Sequence, residues 1–138
     1  MGKAQISKTS GFIAWLFQIL SAIILLQTLY FKFTGAPESV YIFETVGMEP
    51  WGRYGSGIVE LISGILLLTP GLSWLGALLG LVVISTALFF HITILGIEVM
   101  GDGGALFYLA ATVFISCLAI IWIRRGEIVA PVKNWGSR

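Results

Sequence analysis

Arg53–Pro70, RYGSGIVELISGILLLTP, decides how the rest of the chain is read. It is apolar, long enough for a membrane-crossing helix, and carries one carboxylic acid, Glu60, inside it. An ionisable group in hydrocarbon costs several kcal/mol, so it faces a bundle interior or a water-filled cavity and finds a partner there. The reading therefore turns on which other segments cross a membrane and which of their polar groups meet Glu60.

Composition sets the class. Of 138 residues 57% are apolar and 11% charged, with a mean hydropathy of +0.96, where a soluble domain averages about 25% charged. This is the composition of an all-α integral membrane protein, one domain over residues 1–138 in the lipid bilayer, with room for about four spans of some 20 residues each. A net charge of +1 argues against nucleic acid, which calls for a basic stripe. The single cysteine, Cys117, excludes an intramolecular disulfide and dithiol chemistry, and reads as a small buried hydrophobe.

Working outward, the spans fall at 11–32, 54–69, 73–95 and 104–123. Lys3 and Lys8 precede the first apolar run as in a signal peptide, but the run is too long and Phe31-Lys32-Phe33 stands where small cleavage-site residues belong, so it reads as a retained span. Between the first two spans, Pro37 and Glu38 suit a helix start, and Gly47 with Pro50 marks its stop. A short interfacial helix is expected there, with Val40, Phe43 and Val46 turned inward and Trp51 and Tyr54 as anchors. Pro70-Gly71 turns the second span into the third, giving a four-transmembrane-helix bundle. Lys3, Lys8, Arg124, Arg125, Lys133 and Arg138 flank the termini, against Lys32 and Arg53 on the other side, so both termini are expected in the cytoplasm.

Depth then brings the polar groups together. Glu60 lies roughly 10 Å below Arg53, and His91 roughly 6 Å below Leu95, at about 1.5 Å per residue. Lys32 closes the first span and Asp102 opens the fourth, so four helices each bring an ionisable group to the outer half. Gly76, Gly80, Ile84, Ala87 and His91 share one face of span three; Gly57, Glu60 and Gly64 share one of span two. Span one offers Ala14, Gln18, Ser21, Thr28 and Lys32, and span four Ala105, Tyr108, Thr112, Ser116 and Ala119. Gln27 stands off the polar stripe of span one, placed to hydrogen-bond a neighbouring helix. The expectation is an outward-facing polar pocket in which Glu60 pairs with His91, completed by Lys32 and Asp102.

Each of these residues has a structural alternative. Glu60 reads either as a paired carboxylate holding spans two and three together or as a ligand or proton group. Lys32 reads as a snorkelling or a pocket cation, Arg53 as an interfacial anchor, and Asp102 as a cap on the first free amides of span four. His91 with Glu60 and either Asp102 or Glu44 has ligand types suited to iron or zinc, but the spacing is not diagnostic and no metal is assigned. A haem would need Met48 or Met100 as well, and is disfavoured further.

The lysine closing span one, TGAPESVYIFETVGMEPWGRYGSGIVELISGILLL, the histidine late in span three and DGGALFYLA opening span four resemble the DoxX family of small bacterial four-helix membrane proteins. The resemblance covers about Ala14 to Arg125. Gly47-Met48-Glu49-Pro50 departs from the family's commonest loop by one residue between Gly and Pro. The resemblance implies the bacterial inner membrane and association with redox systems, including quinone-linked sulfur oxidation, while animal relatives look like assembly chaperones.

Three functional readings follow. The first is an accessory subunit or assembly partner of a larger membrane redox complex, since the chain has one histidine, no cysteine pair and no nucleotide motif; a homo-oligomer belongs with it. The second is a quinone- or lipid-binding oxidoreductase component using Glu60 and His91, with Phe89, Phe90, Phe107 and Tyr108 as walls for a flat ring. The third is a small transporter, for which the inner half supplies only Gln18, Ser21, Ser85 and Ser116.

Overall fold

A computed structural model describes residues 7–128. Among them the chain is all-helical: α1 (Lys8–Thr34), α2 (Pro37–Thr45), α3 (Trp51–Leu67), α4 (Ser73–Phe90), a π-helical turn (His91–Leu95) and α5 (Ala105–Ile123). Lys3, Lys133 and Arg138, which the charge reading used, lie outside the described residues. Three segments, Lys8–Thr34, Ser73–Leu95 and Ala105–Ile123, are long and apolar enough to cross a membrane. α3, at 17 residues, is about 25 Å long.

α1, α3, α4 and α5 close a ring in which each packs against two neighbours, in the order α1–α3–α4–α5–α1. α2 touches α1, α3 and the π turn, and so lies across the end of the ring that holds Lys32 and His91. Small residues let the helices approach: a Cβ on Gly76 would sit 2.5 Å from the Leu67 backbone nitrogen, and one on Gly57 3.0 Å from the Phe33 ring. The hairpin between α3 and α4 turns through Leu68–Leu72, with Gly71 at a φ of +83°, where a side chain would be strained.

Polarity is inverted relative to a water-soluble protein. Gln18, Ser21, Ser63, Ser73, Glu60 and Ser116 are buried between helices, while large apolar side chains such as Ile23, Ile58, Val82 and Ile115 cover the outside. Buried polar groups and a continuous apolar exterior are the informative departures from the usual arrangement. Some of the buried groups are matched across helices, as where Ser63 Oγ donates to the Gly76 carbonyl at 2.7 Å, whereas Ser21 Oγ has no partner among the described residues. At the far end Gln18 Nε2 donates to the Leu67 carbonyl at 2.8 Å, and Arg124 Nε donates to Gln18 Oε1 at 3.1 Å. That relay ties the start of α1 to the ends of α3 and α5 and satisfies a carbonyl that the end of α3 leaves open.

Several expectations shift. The helix around the second expected span begins at Trp51, three residues earlier than expected, so Arg53 and Tyr54 sit within its first turn. α2 buries Ser39 and Phe43, with Val40 and Val46 only half-buried. The face of α5 differs most: Ala110, Val113, Ser116, Cys117 and Ile120 are buried, whereas Tyr108 is 61% exposed. Thr112 can leave the interior because its hydroxyl donates to the Tyr108 carbonyl at 2.8 Å, satisfying itself within its own helix.

Candidate functional site

The polar cluster at the α2 end is built on the seam between α1 and α3. Lys32 lies in the last turn of α1, Thr28 one turn earlier, and Glu60 in the middle of α3 with Ser56 one turn before it. Gly57 and Gly64 let α1 come close enough for these side chains to meet, since Phe33 and Leu26 occupy the space their Cβ atoms would need. Lys32 Nζ lies 2.6 Å from Glu60 Oε1, at the short end for a charge-assisted hydrogen bond. It also donates to Ser56 Oγ at 3.1 Å and stands 5.5 Å from the centre of the Phe43 ring of α2. The other carboxylate oxygen, Oε2, is 2.9 Å from Thr28 Oγ1, which is also 2.7 Å from the Leu25 carbonyl. One hydroxyl proton serves these two acceptors.

The expected pairing of Glu60 with His91 does not form. His91 occupies the first position of the π turn, and its Nδ1 is 2.9 Å from the Gly96 carbonyl while the Gly96 amide donates to the His91 carbonyl at 2.8 Å. Because a carbonyl only accepts, Nδ1 carries the proton in this arrangement. The imidazole meets Phe107 of α5 edge to face, with centroids 5.7 Å apart. The widened turn fixes the ring to the loop that follows it, so the interior face of α4 delivers His91 to the bundle but not to Glu60.

Arg53 is also placed differently from an interfacial anchor. It is 5% exposed; Nη1 donates to the Lys32 carbonyl, and the guanidinium holds Glu49 through Nε at 2.9 Å and Nη2 at 2.8 Å. Lys32 belongs to the last turn of α1, so Arg53 satisfies an open carbonyl at a helix C-terminus, where positive charge is favoured. Its guanidinium lies 4.5 Å from the centre of the Tyr54 ring. The Glu49/Arg53 spacing of four was visible in the chain and is the signal that would have found this pair.

Asp102 caps α5 as expected, from two residues before the N-cap. Oδ1 accepts the Val99 and Gly104 amides at 2.9 and 2.8 Å, and Oδ2 accepts the Leu106 amide at 3.1 Å. Burial pushes this carboxyl up, but the three amides and the nearby His91 together hold it below the ordinary carboxylate range.

The five expected site residues thus divide into two groups at one end of the ring. Lys32, Glu60 and Arg53 are joined through Lys32, with Thr28, Ser56 and Glu49 as added partners; His91 and Asp102 serve the π turn and the loop before α5. Among the described residues no group of three or more His, Cys, Asp or Glu is close enough to hold a metal ion. Cys117 is buried against α1 and α4, remote in sequence and depth from the cluster. Chemically, the α1–α3 seam is an ion pair with its hydrogen bonds made internally, and the arrangement holds helices rather than presenting a reactive atom. Comparison with protein-family models, with curated proteins and with solved structures gave no match.

Proposed function

We propose that this chain is a four-span protein of the bacterial inner membrane, with α1, α3, α4 and α5 as the spans and both termini cytoplasmic, serving as an accessory subunit or assembly partner of a larger membrane redox complex. The inverted polarity supports the membrane reading: an apolar exterior suits lipid, and inside it side chains such as Gln18 and Ser63 bond to backbone carbonyls of the neighbouring helices. The three long apolar helices set the spanning direction, and α3, packed between α1 and α4, completes the ring. Its length of about 25 Å suits a span with Trp51 at the interface.

The observation that carries the accessory role is the internal pairing of the cluster. Glu60 is taken by Lys32 and Thr28, Arg53 by Glu49 and the Lys32 carbonyl, and Asp102 by three amides. A general acid or base needs a free edge toward its substrate, whereas these groups are spent on fixing one helix to the next. The redox setting rests on the likeness to DoxX proteins. Extraction of the tagged chain under native conditions tests the reading: a stoichiometric membrane partner supports it, and turnover by the isolated chain sinks it.

A second reading is favoured by one atom. His91 Nε2 makes no hydrogen bond among the described residues, with Nδ1 held by Gly96 and the Phe107 ring alongside. A neutral imidazole so fixed offers an acceptor at Nε2 to a hydroxyl, such as that of a quinol. Quinone binding that survives His91→Ala in a folded protein would remove this reading.

A further inference from the structure

On the apolar outside of the ring, polar side chains satisfy themselves within their own helices. Thr86, Thr93 and Thr112 are exposed or half-exposed, and each hydroxyl donates to the carbonyl four residues back, at 3.0, 2.7 and 2.8 Å. Gln27 and the half-buried Ser85 of α4 do not, and of the two only Gln27 is exposed. It is exposed on α1, one residue from Thr28 and therefore level with Glu60, and among the described residues its carboxamide makes no hydrogen bond. It stands about 7 Å along the helix from Lys32. If the membrane reading holds, that places an unmatched amide within hydrocarbon, where such groups are costly and seek a partner on a neighbouring helix.

The residues around it describe that neighbour. Ile13, Leu16, Leu20, Ile23, Gln27 and Tyr30 follow steps of three and four along the middle of the exposed face of α1, and the five other than Gln27 are 39–69% exposed. This is a 3.5-residue seam, suited to a left-handed helix pair, with one polar residue in it; a single polar position in such a seam fixes register. A carboxamide has both donors and an acceptor, so it is its own complement. A two-fold axis along the membrane normal sets the same residue of two chains at the same depth, in the same orientation, as an isologous contact requires.

We propose that the exposed face of α1 is the contact for a second copy of this chain, with Gln27 of each copy hydrogen-bonded to Gln27 of the other. This inference rests on the membrane reading, and its test separates the two. The full chain carrying Gln27→Cys is oxidised in native membranes, with Val82→Cys on α4 and Ile115→Cys on α5 as controls on other exposed faces; native Cys117 is buried in all three. The expected result is a disulfide-linked dimer at position 27 and none at the controls. In liposomes, Gln27→Leu should weaken dimerisation about threefold and at most about twentyfold, the effect of one interhelical hydrogen bond in a membrane, while Gln27→Asn retains it. Protein recovered in membranes that forms no dimer at position 27, that links equally at all three positions, or that links only to a different protein overturns the inference. Recovery of the wild-type chain outside membranes overturns the membrane reading, and this inference with it.

Discussion

Removing either partner of the Lys32–Glu60 pair should destabilise the fold, and removing both should cost about as much as removing one. At 2.6 Å two unit charges attract by about 6 kcal/mol at an effective dielectric constant of about 20. Taking both ions out of water consumes most of that gain, so the intact pair contributes little net stability, yet stranding one ion costs about 3–5 kcal/mol. The two strandings differ. The Lys32 side chain is 15% exposed and that of Glu60 5%, so in Glu60→Gln the ammonium can swing out along its apolar stem toward water. In Lys32→Met the carboxylate keeps only Thr28. Lys32→Met should therefore fall at the upper end of that range and Glu60→Gln at the lower. The double variant strands no ion, so it should cost no more than one single variant, which is a coupling energy of at least about 3 kcal/mol relative to the sum of the singles. Equilibrium unfolding of the purified protein in mixed micelles with increasing SDS measures all four corners. Additivity within about 0.5 kcal/mol would refute the claim that this pair locks α1 to α3.

Three further outcomes follow from the same structure. Because Asp102 is held below the ordinary carboxylate range, its cap is fully present above about pH 4 and is lost as pH falls through the lower folded-state value; thermal scans below pH 4 should lose part of their pH dependence in Asp102→Asn, and an unchanged slope would contradict the assignment. Gly76→Ala places a methyl 2.5 Å from the α3 backbone and should cost about 1–3 kcal/mol, whereas Gly11→Ala meets open space and should add up to about 1 kcal/mol; equal effects in unfolding would show that α3 and α4 are not in contact there. Cys117, fully buried, should resist membrane-permeant thiol reagents until the bundle is unfolded, and rapid labelling of the folded protein would contradict its position.

The helices and the hairpin were legible because apolar length, Pro and Gly carry that information locally. The faces were legible where small residues mark them: Gly57, Glu60 and Gly64 on α3, and Gly76 and Gly80 on α4 with His91 in the π turn that continues it, are buried as their spacing suggested. On α5 the spacing misled, since that helix is apolar all round and Thr112 closes its own hydrogen bond, so polarity does not mark the inner face. Depth placed Glu60 in the same outer half as its partner but could not give direction around the helix axis. Lys32 and His91 both stood at suitable heights, and the π turn, a change of pitch that no residue type announces, turned His91 to Gly96. Arg53 was assigned to the interface and Arg124 counted only as a charge flanking the last span; each reaches back to a polar group between helices, the Lys32 carbonyl and the Gln18 amide. Long side chains make such returns invisible to a count of residues along the chain.

The proposed topology has four crossings, and α3 is the one whose length leaves least to spare. Cysteines placed singly at Gly35, Gly71 and Gly101, in the three turns, and probed with a membrane-impermeant thiol reagent in intact cells and in inverted vesicles, decide it. Four crossings give labelling from the outside at positions 35 and 101 and only from the cytoplasmic side at position 71. Labelling of positions 35 and 71 from the same side would contradict that topology.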